Sequence, residues 1–398
     1  MIRRENYLKK IRPFYDNELV KVILGIRRCG KSVLLQQIIE ELQNSGIKKE
    51  QIISINFEDL QYSEIKDAQA LNDYVLDKVV KSKRTYLFFD EIQEVDSWEK
   101  AINSFRATLD CDIYITGSNS RLMTGDLATY LSGRYISFKI MPFSFAETCL
   151  YKGLRREQVD EELMMEYMKW GGMPQLLQFE NENEKRALLQ DLYNSIVLRD
   201  VLERYKIKDV GILNRVLEYL LQTPSQLFSA NAVSKYFESI SLKISTETLY
   251  NYIEYVTSAM IIEKAKRYDI RGKRVLTRSD KIYLTDLGFS AIANTGKKTE
   301  IGALLENIIY NELIVRGYQV YVGKTRQGEI DFVATKEGQK EYYQVAYLLA
   351  TADVVEREFG AYKEVMDNYP KYVLSLDRFD FSQNGIIHKN IIDFLMEL

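Results

Sequence analysis

The chain has 398 residues, 46% hydrophobic and 28% charged, with 54 Lys+Arg against 57 Asp+Glu and a net charge of −3. That length predicts roughly two to four domains with real cores, and the near-neutral balance excludes a global pull toward nucleic acid, so any basic surface is local. A single histidine, His388, excludes a His-based triad or a His-ligated metal, three scattered cysteines (Cys29, Cys111, Cys149) form no disulfide framework or zinc pattern and suit a reducing, cytoplasmic interior, and no apolar run has the length of a membrane span or secretory signal.

Residues 1–150 alternate apolar strand runs with helical patterns. Strands are predicted at 20–24, 52–57, 85–89, 112–116 and 135–140, which specifies an α/β fold: a parallel sheet with helices on both faces. Between the first strand and its helix stand Gly25-Ile26-Arg27-Arg28-Cys29-Gly30-Lys31-Ser32, followed by Val33. The octet fits G-x-x-x-x-G-K-[ST], a loop whose backbone amides turn inward on phosphate. Gly25 and Gly30 can take positive φ, and the helix N-terminus adds partial positive charge. Lys31 is expected on the β- and γ-phosphates, and the Ser32 hydroxyl on Mg²⁺. The third strand ends in Asp90-Glu91, and charge at the end of a buried strand is costly unless it binds something. Asp90 suits the acid that holds Mg²⁺, and Glu91 the base that readies water. Ser118 and Asn119 follow the fourth strand, at the same carboxyl edge where such sheets bind ligands, and are candidates for sensing the γ-phosphate. Arg134 precedes the fifth strand and is a candidate to neutralise transition-state charge in its own or a neighbouring subunit.

These residues together resemble the AAA+-related and STAND-like P-loop ATPases, especially the archaeal-type group found widely in bacteria and archaea. The matching segments are 25–32, 85–91, Gly117-Ser118-Asn119 and Gly133-Arg134, with Trp170-Gly171-Gly172-Met173-Pro174 similar to the Gly-x-Pro element of STAND proteins. The resemblance implies ATP rather than GTP, and a Pro174 that touches nucleotide from a helical lid. Read from the residues alone, Gly-Gly-x-Pro is a helix stop and turn.

Residues 151–208 read as all-helical, with candidates at 157–170 and 184–205. Residues 209–295 read as a winged helix, with helices near 212–221, 229–237 and from 245, then a basic hairpin at 267–275 flanked by strands at 261–265 and 281–284. Arg267, Arg271, Lys273, Arg274 and Arg278 make the expected wing a candidate phosphate contact on DNA. Glu247 and Glu254 on the third helix oppose that role, and a protein partner is the alternative.

Residues 296–398 read as a last α/β unit: a helix at 304–316, strands at 318–322, 329–334 and 342–347, a helix at 353–366 and a strand at 371–376. Glu306, Asp331 and Gln344 trace the outline of PD-(D/E)xK nucleases, which use acids to hold Mg²⁺ and a lysine to activate water. Gln344 and Ala346 stand where that pattern needs an acid and a lysine, and Lys336 and Lys340 are the candidate substitutes. The unit is therefore expected to be a nuclease-like fold without cleavage. The whole order resembles bacterial ATPases with a C-terminal domain of unknown function. The expected activity is a slow, Mg²⁺-dependent ATP-hydrolysing switch that signals through the winged helix, with homo-oligomerisation open. The alternatives are an ATP-gated DNA-binding protein and a scaffold with little turnover.

Overall fold

The computed structural model describes residues 2–80, 83–119, 131, 133–276, 280–293, 300–326 and 328–397. The chain divides into two compact units, Met1–Met141 with Ser258–Met260, and Pro142–Thr257 with Ile261–Leu398.

The first unit is built on β1 (Val20–Leu24), β2 (Ile52–Asn56), β3 (Thr85–Asp90), β4 (Cys111–Gly117) and β5 (Tyr135–Lys139). They form one sheet in the order β2-β3-β4-β1-β5, and every pairing is parallel. β1 and β3 are buried along their whole length, as near-continuous apolar runs must be when helices cover both faces. Local chemistry sets the helices. Asp67 accepts from the amides of Gln69 and Ala70 and starts Ala68–Lys78. Gly46, at φ +103°, ends Lys31–Asn44, and the amide of Ile47 returns to the Leu42 carbonyl. The register aligns Leu24 with Gly117 and Phe89 with Ile115, so the segments after β1, β3 and β4 emerge from one edge. At the opposite edge a fully buried pair, Lys21 and Asp112, joins β1 to β4, and Asp112 also accepts from the Tyr114 hydroxyl at 2.9 Å.

In the second unit, helices Phe145–Tyr151, Glu161–Trp170 and Glu182–Ile196 come first, the last continuing as a π-helix over Val197–Glu203. Ser144 and Glu147 make a reciprocal capping box, and Asp160 and Asn181 cap the next two helices. Helices Val210–Gln222, Ala230–Ser239 and Thr246–Ser258 follow, together with a small antiparallel sheet of β6 (Gln226–Leu227), β7 (Ile262–Ala265) and β10 (Lys281–Leu284), ordered β6-β10-β7.

The hairpin between β7 and β10 does not stand free as the expected wing. β8 (Arg267–Asp269) and β9 (Arg274–Val275) pair antiparallel, and β8 pairs in parallel with β11 (Gln319–Lys324). The hairpin thereby forms the edge of a seven-stranded sheet, β15-β14-β13-β12-β11-β8-β9, whose other strands are β12 (Glu329–Lys336), β13 (Gln339–Val345), β14 (Lys371–Ser375) and β15 (Ile387–Asn390). Packing explains the placement: Ile270 joins the core of that sheet, with Tyr268 and Tyr321 against it. Residues 267–275 therefore belong with the C-terminal sheet, and a boundary at 295 cuts across it. The expected helices near 304–316 and 353–366 are Ile301–Val315 and Ala352–Gly360, the latter ending in a short 3₁₀ turn, Ala361–Glu364. β15 and the helix Ile391–Met396 extend the unit beyond the expected elements.

Candidate functional site

Of the two glycines in the loop after β1, only Gly30 takes the positive φ expected of both, and Gly25 is required by close packing instead. Gly30 caps the helix Lys31–Asn44 at φ +103°, and Arg28 is left-handed at φ +64°. A Cβ on Gly25 would lie 2.5 Å from the Ile140 carbonyl and 2.6 Å from Cys29 Sγ, so that position accepts only glycine without a shift. Lys31 is 4% exposed. Its Nζ donates to the carbonyls of Gly25 at 3.1 Å and Ile26 at 3.4 Å, and pairs with Glu91 Oε1 at 3.1 Å. Arg27 pairs with Glu58 at 2.9 Å on the loop's outer side.

Asp90 and Glu91, both buried, stand beside the loop. The Ser32 and Thr116 hydroxyls donate to Asp90, and Thr116 Oγ1 accepts from the Glu91 amide at 2.9 Å. Glu91 has φ +53°, a strained value for a side-chain-bearing residue, of a kind that persists where the surroundings over-determine it. Burial pushes the Asp90 carboxyl up, although the Ser32 and Thr116 hydroxyls counter it. Burial also acts on Glu91, but the Lys31 ammonium and the Gln93 amide bring its pKa below the ordinary carboxylate value. Ser118 and Asn119 follow β4 at the same edge and are both buried. Among the described residues Ser118 Oγ has no hydrogen-bond partner.

Two residues in this site have roles that sequence reasoning did not assign. Thr116, near the carboxyl end of β4, joins the two acids. Arg4, only 1% exposed, donates through Nη1 to the Cys29 carbonyl at 3.1 Å and the Met141 carbonyl at 3.0 Å, tying the loop to the segment after β5. Its backbone amide bonds Gln37 Oε1 at 3.0 Å on the helix Lys31–Asn44, and its guanidinium lies over the Tyr7 ring. The sequence signal for it is slight: a charged pair, Arg3-Arg4, ahead of a mixed helix, Glu5–Ile11, that buries only Tyr7, Leu8 and Ile11.

Arg134 is not brought to the loop of its own chain. Its carbonyl accepts from Val20 at the amino end of β1, and Val20 aligns with Tyr135, so Arg134 lies at the opposite sheet edge. Pro174 belongs to the second unit, at the first position of a 3₁₀ turn, Pro174–Gln178. The glycines before it answer to packing. A Cβ on Gly171 would fall 1.9 Å from Asp286 Oδ1, and one on Gly172 would fall 1.9 Å from the Phe143 carbonyl. Asp286 accepts from the amides of Gly172 at 2.7 Å and Gly288 at 2.8 Å. Of the basic hairpin, Arg267 faces Glu329 at 3.7 Å and Arg274 faces Asp269 at 3.9 Å, Arg271 and Lys273 are exposed, and Arg278 lies outside the described residues.

Glu306, Asp331 and Gln344 do come together: Gln344 Oε1 accepts from the Asp331 amide, and Lys281 Nζ lies 2.8 Å from Glu306 and 3.9 Å from Asp331. The expected substitute lysines are engaged elsewhere, Lys336 on the Arg316 carbonyl and Lys340 against the Tyr268 ring. Among the described residues no group of three or more His, Cys, Asp or Glu is arranged to hold a metal ion, and no helix is long and apolar enough to cross a membrane.

The loop, the paired acids and the orphaned Ser118 hydroxyl fit a magnesium-bound nucleoside triphosphate. Residues 17–149 match the family model described as an AAA domain, and residues 161–300 match a domain of unknown function, DUF8612. An uncharacterised protein of Haemophilus influenzae is 37% identical over 100% of this chain and 99% of its own. Another, from Methanocaldococcus jannaschii, is 29% identical over 92% of this chain and 83% of its own. Among solved structures, a Walker-type ATPase of Pyrococcus abyssi superposes with a TM-score of 0.51 at 14% identity, covering 74% of this chain and 96% of that one, a likeness of fold. The chain thus belongs to the same family as the Haemophilus influenzae protein, and its first unit is an AAA-type, ATP-binding P-loop core.

Proposed function

We propose that the protein is a Mg²⁺-dependent ATPase in which Lys31 and the loop amides bind the phosphates, Ser32 and Asp90 hold the metal, and Glu91 activates water. The observation that carries this reading is the Lys31–Glu91 pair beside the loop carbonyls. A triphosphate would compete with Glu91 and the two carbonyls for the ammonium, and Glu91, released from its counter-charge, would accept the proton of the attacking water. Mg²⁺ would supply charge neutralisation on the phosphate oxygens. Lys31 and Gln93 hold the Glu91 pKa down in the nucleotide-free protein, and losing Lys31 to a triphosphate would let it rise and make the carboxylate a better base. Ser118 offers a hydroxyl to the same edge.

Turnover is expected to be slow and to serve as a switch, with the helices after Pro142 and the Gly171-Gly172-Met173-Pro174 turn as the lid that carries nucleotide state onward. Arg134 fits only an arginine supplied to a neighbouring copy, so specific activity should rise with protein concentration. Direct phosphate contact by the 267–275 hairpin is less favoured than a partner role, because two of its arginines face acids. Glu91→Gln decides the central assignment. Nucleotide binding by calorimetry should persist while phosphate release falls about 10²–10⁴-fold. Equal turnover in the two proteins would remove Glu91 from the role of base.

A further inference from the structure

The C-terminal acids resemble a metal-holding set, but their surroundings do not fit a metal. Lys281 Nζ lies 2.8 Å from Glu306 Oε1, 3.2 Å from Glu329 Oε1 and 3.9 Å from Asp331 Oδ1. Further donors share these carboxylates: the Tyr283 hydroxyl donates to the same Glu306 Oε1 at 2.6 Å, the Val345 amide donates to Asp331 Oδ2 at 2.8 Å, and Arg267 faces Glu329 Oε2 at 3.7 Å. Lys281 and Tyr283 stand two apart on β10, so one face of that strand delivers both to Glu306. Lys281, Glu306 and Asp331 are each less than a tenth exposed. Divalent cations of the Mg²⁺ class need several free carboxylate or water oxygens around one centre. Here a tethered ammonium fills the centre, and Gln344 offers the set a neutral amide.

We infer that the Lys281 ammonium is the resident cation of this acidic cluster, standing where the nuclease resemblance implies Mg²⁺, and that it closes the C-terminal sheet to metal-dependent cleavage. Its second consequence is mechanical. Lys281 belongs to the small sheet β6-β10-β7, whereas Glu329 and Asp331 belong to β12. The ion cluster pins the two sheets of the second unit together, beside the covalent step from β7 through Lys266 into β8. Burial works against the Lys281 charge, but Glu306, Asp331 and Glu329 outweigh it and raise its pKa, so the clamp stays charged across the physiological range. Burial and the neighbouring Glu306 push the Asp331 carboxyl well up, and the Lys281 ammonium and the Val345 amide act against them.

The test uses the full chain without nucleotide and Mn²⁺ as the probe. Wild type and Asp331→Asn should show the same Mn²⁺ uptake by calorimetry and should leave supercoiled DNA uncut. Uptake or cleavage that Asp331→Asn abolishes would overturn the inference. Lys281→Met, which keeps the stem and removes the charge, should lower Tm by roughly 5–10 °C, because stripping one partner from a buried cluster strands the others. Adding Glu306→Gln should recover part of that loss. A Lys281→Met protein as stable as wild type would show that the ammonium holds nothing, and if the variant does not fold, the Mn²⁺ comparison decides.

Discussion

Lys31 and Lys281 are both buried ammonium groups beside carboxylates, yet they are partnered in opposite ways. Lys31 meets one acid, Glu91, and two neutral carbonyls on a loop already bent toward an anion. Lys281 meets three acids, each fixed by further donors. A cation with one acidic partner can exchange it for a triphosphate, which brings more charge than it displaces. A cation enclosed by three acids cannot leave without stranding buried charge, a loss of several kcal/mol. On the proposed reading the same residue types make an exchangeable site in one unit and a closed one in the other, and the number of acids around the ammonium separates them.

The largest expected effect tests the exchangeable side. Lys31→Ala should lower turnover by about 10²–10³-fold, the usual consequence of losing one charge-stabilising donor. ATP and Mg²⁺ should raise the Tm of the wild-type protein, a linkage effect that follows binding alone, and Lys31→Ala should abolish that rise. Turnover within a few-fold of wild type would mean that the Lys31 ammonium is bound up in its own ion pair, like that of Lys281, and serves no triphosphate.

Asp286 extends the comparison to an acid with no cation beside it in its pattern of bonds. It is fully buried between the Gly172 and Gly288 amides, and burial pushes its pKa from 3.8 up to about 6. The folded value lies above the unfolded one, so the associated stability is present below pH 3.8 and is lost as pH rises through about 6. The shift is worth about 3 kcal/mol. Denaturant titrations from pH 4 to 7 should show wild type losing stability over that window relative to Asp286→Asn, which cannot ionise. Parallel pH profiles for the two proteins would refute the assignment.

Arg4 sharpens the first half of the comparison from beneath the loop. Arg4→Lys keeps the charge but cannot span the Cys29 and Met141 carbonyls with one planar group. The KM for ATP should rise about 10-fold as the loop loses its preset shape, with a smaller change in kcat. An unchanged KM would make Arg4 a packing residue only.

How much of this was legible follows from the range of each signal. All five strands of the first unit lie where short apolar runs were expected, and the Gly25–Ser32 loop and Asp90-Glu91 stand at the sheet edge that chain order required. Those signals are local: a strand, a turn and a helix written within about twenty residues. The hairpin at 267–275 reads locally as a wing, and its partner, β11, lies some fifty residues later, where no period in the sequence points. Lys281 escapes for the same reason. Lys336 and Lys340 are close to Gln344 in sequence, whereas the lysine that reaches the acids sits on a strand of another sheet. A clue is present in Lys281-Ile282-Tyr283-Leu284, since a charged residue sharing a strand face with a buried tyrosine has to find an acid.

The smallest effect concerns Thr116, whose hydroxyl donates to Asp90 and accepts from the Glu91 amide. Thr116→Val keeps the shape and removes both bonds, leaving a buried amide and a carboxylate oxygen each one partner short. Lys31 still reaches Glu91, so ATP affinity should hold. What changes is the angle at which the two acids face metal and water, and Glu91 is already strained at φ +53°. A few-fold fall in kcat at constant KM is expected, with Thr116→Ser restoring it because the hydroxyl returns. A purely structural role would instead lower Tm in Thr116→Val without moving kcat. A fall as large as that of Lys31→Ala would mean that the acids depend on their tether more than on the ammonium between them.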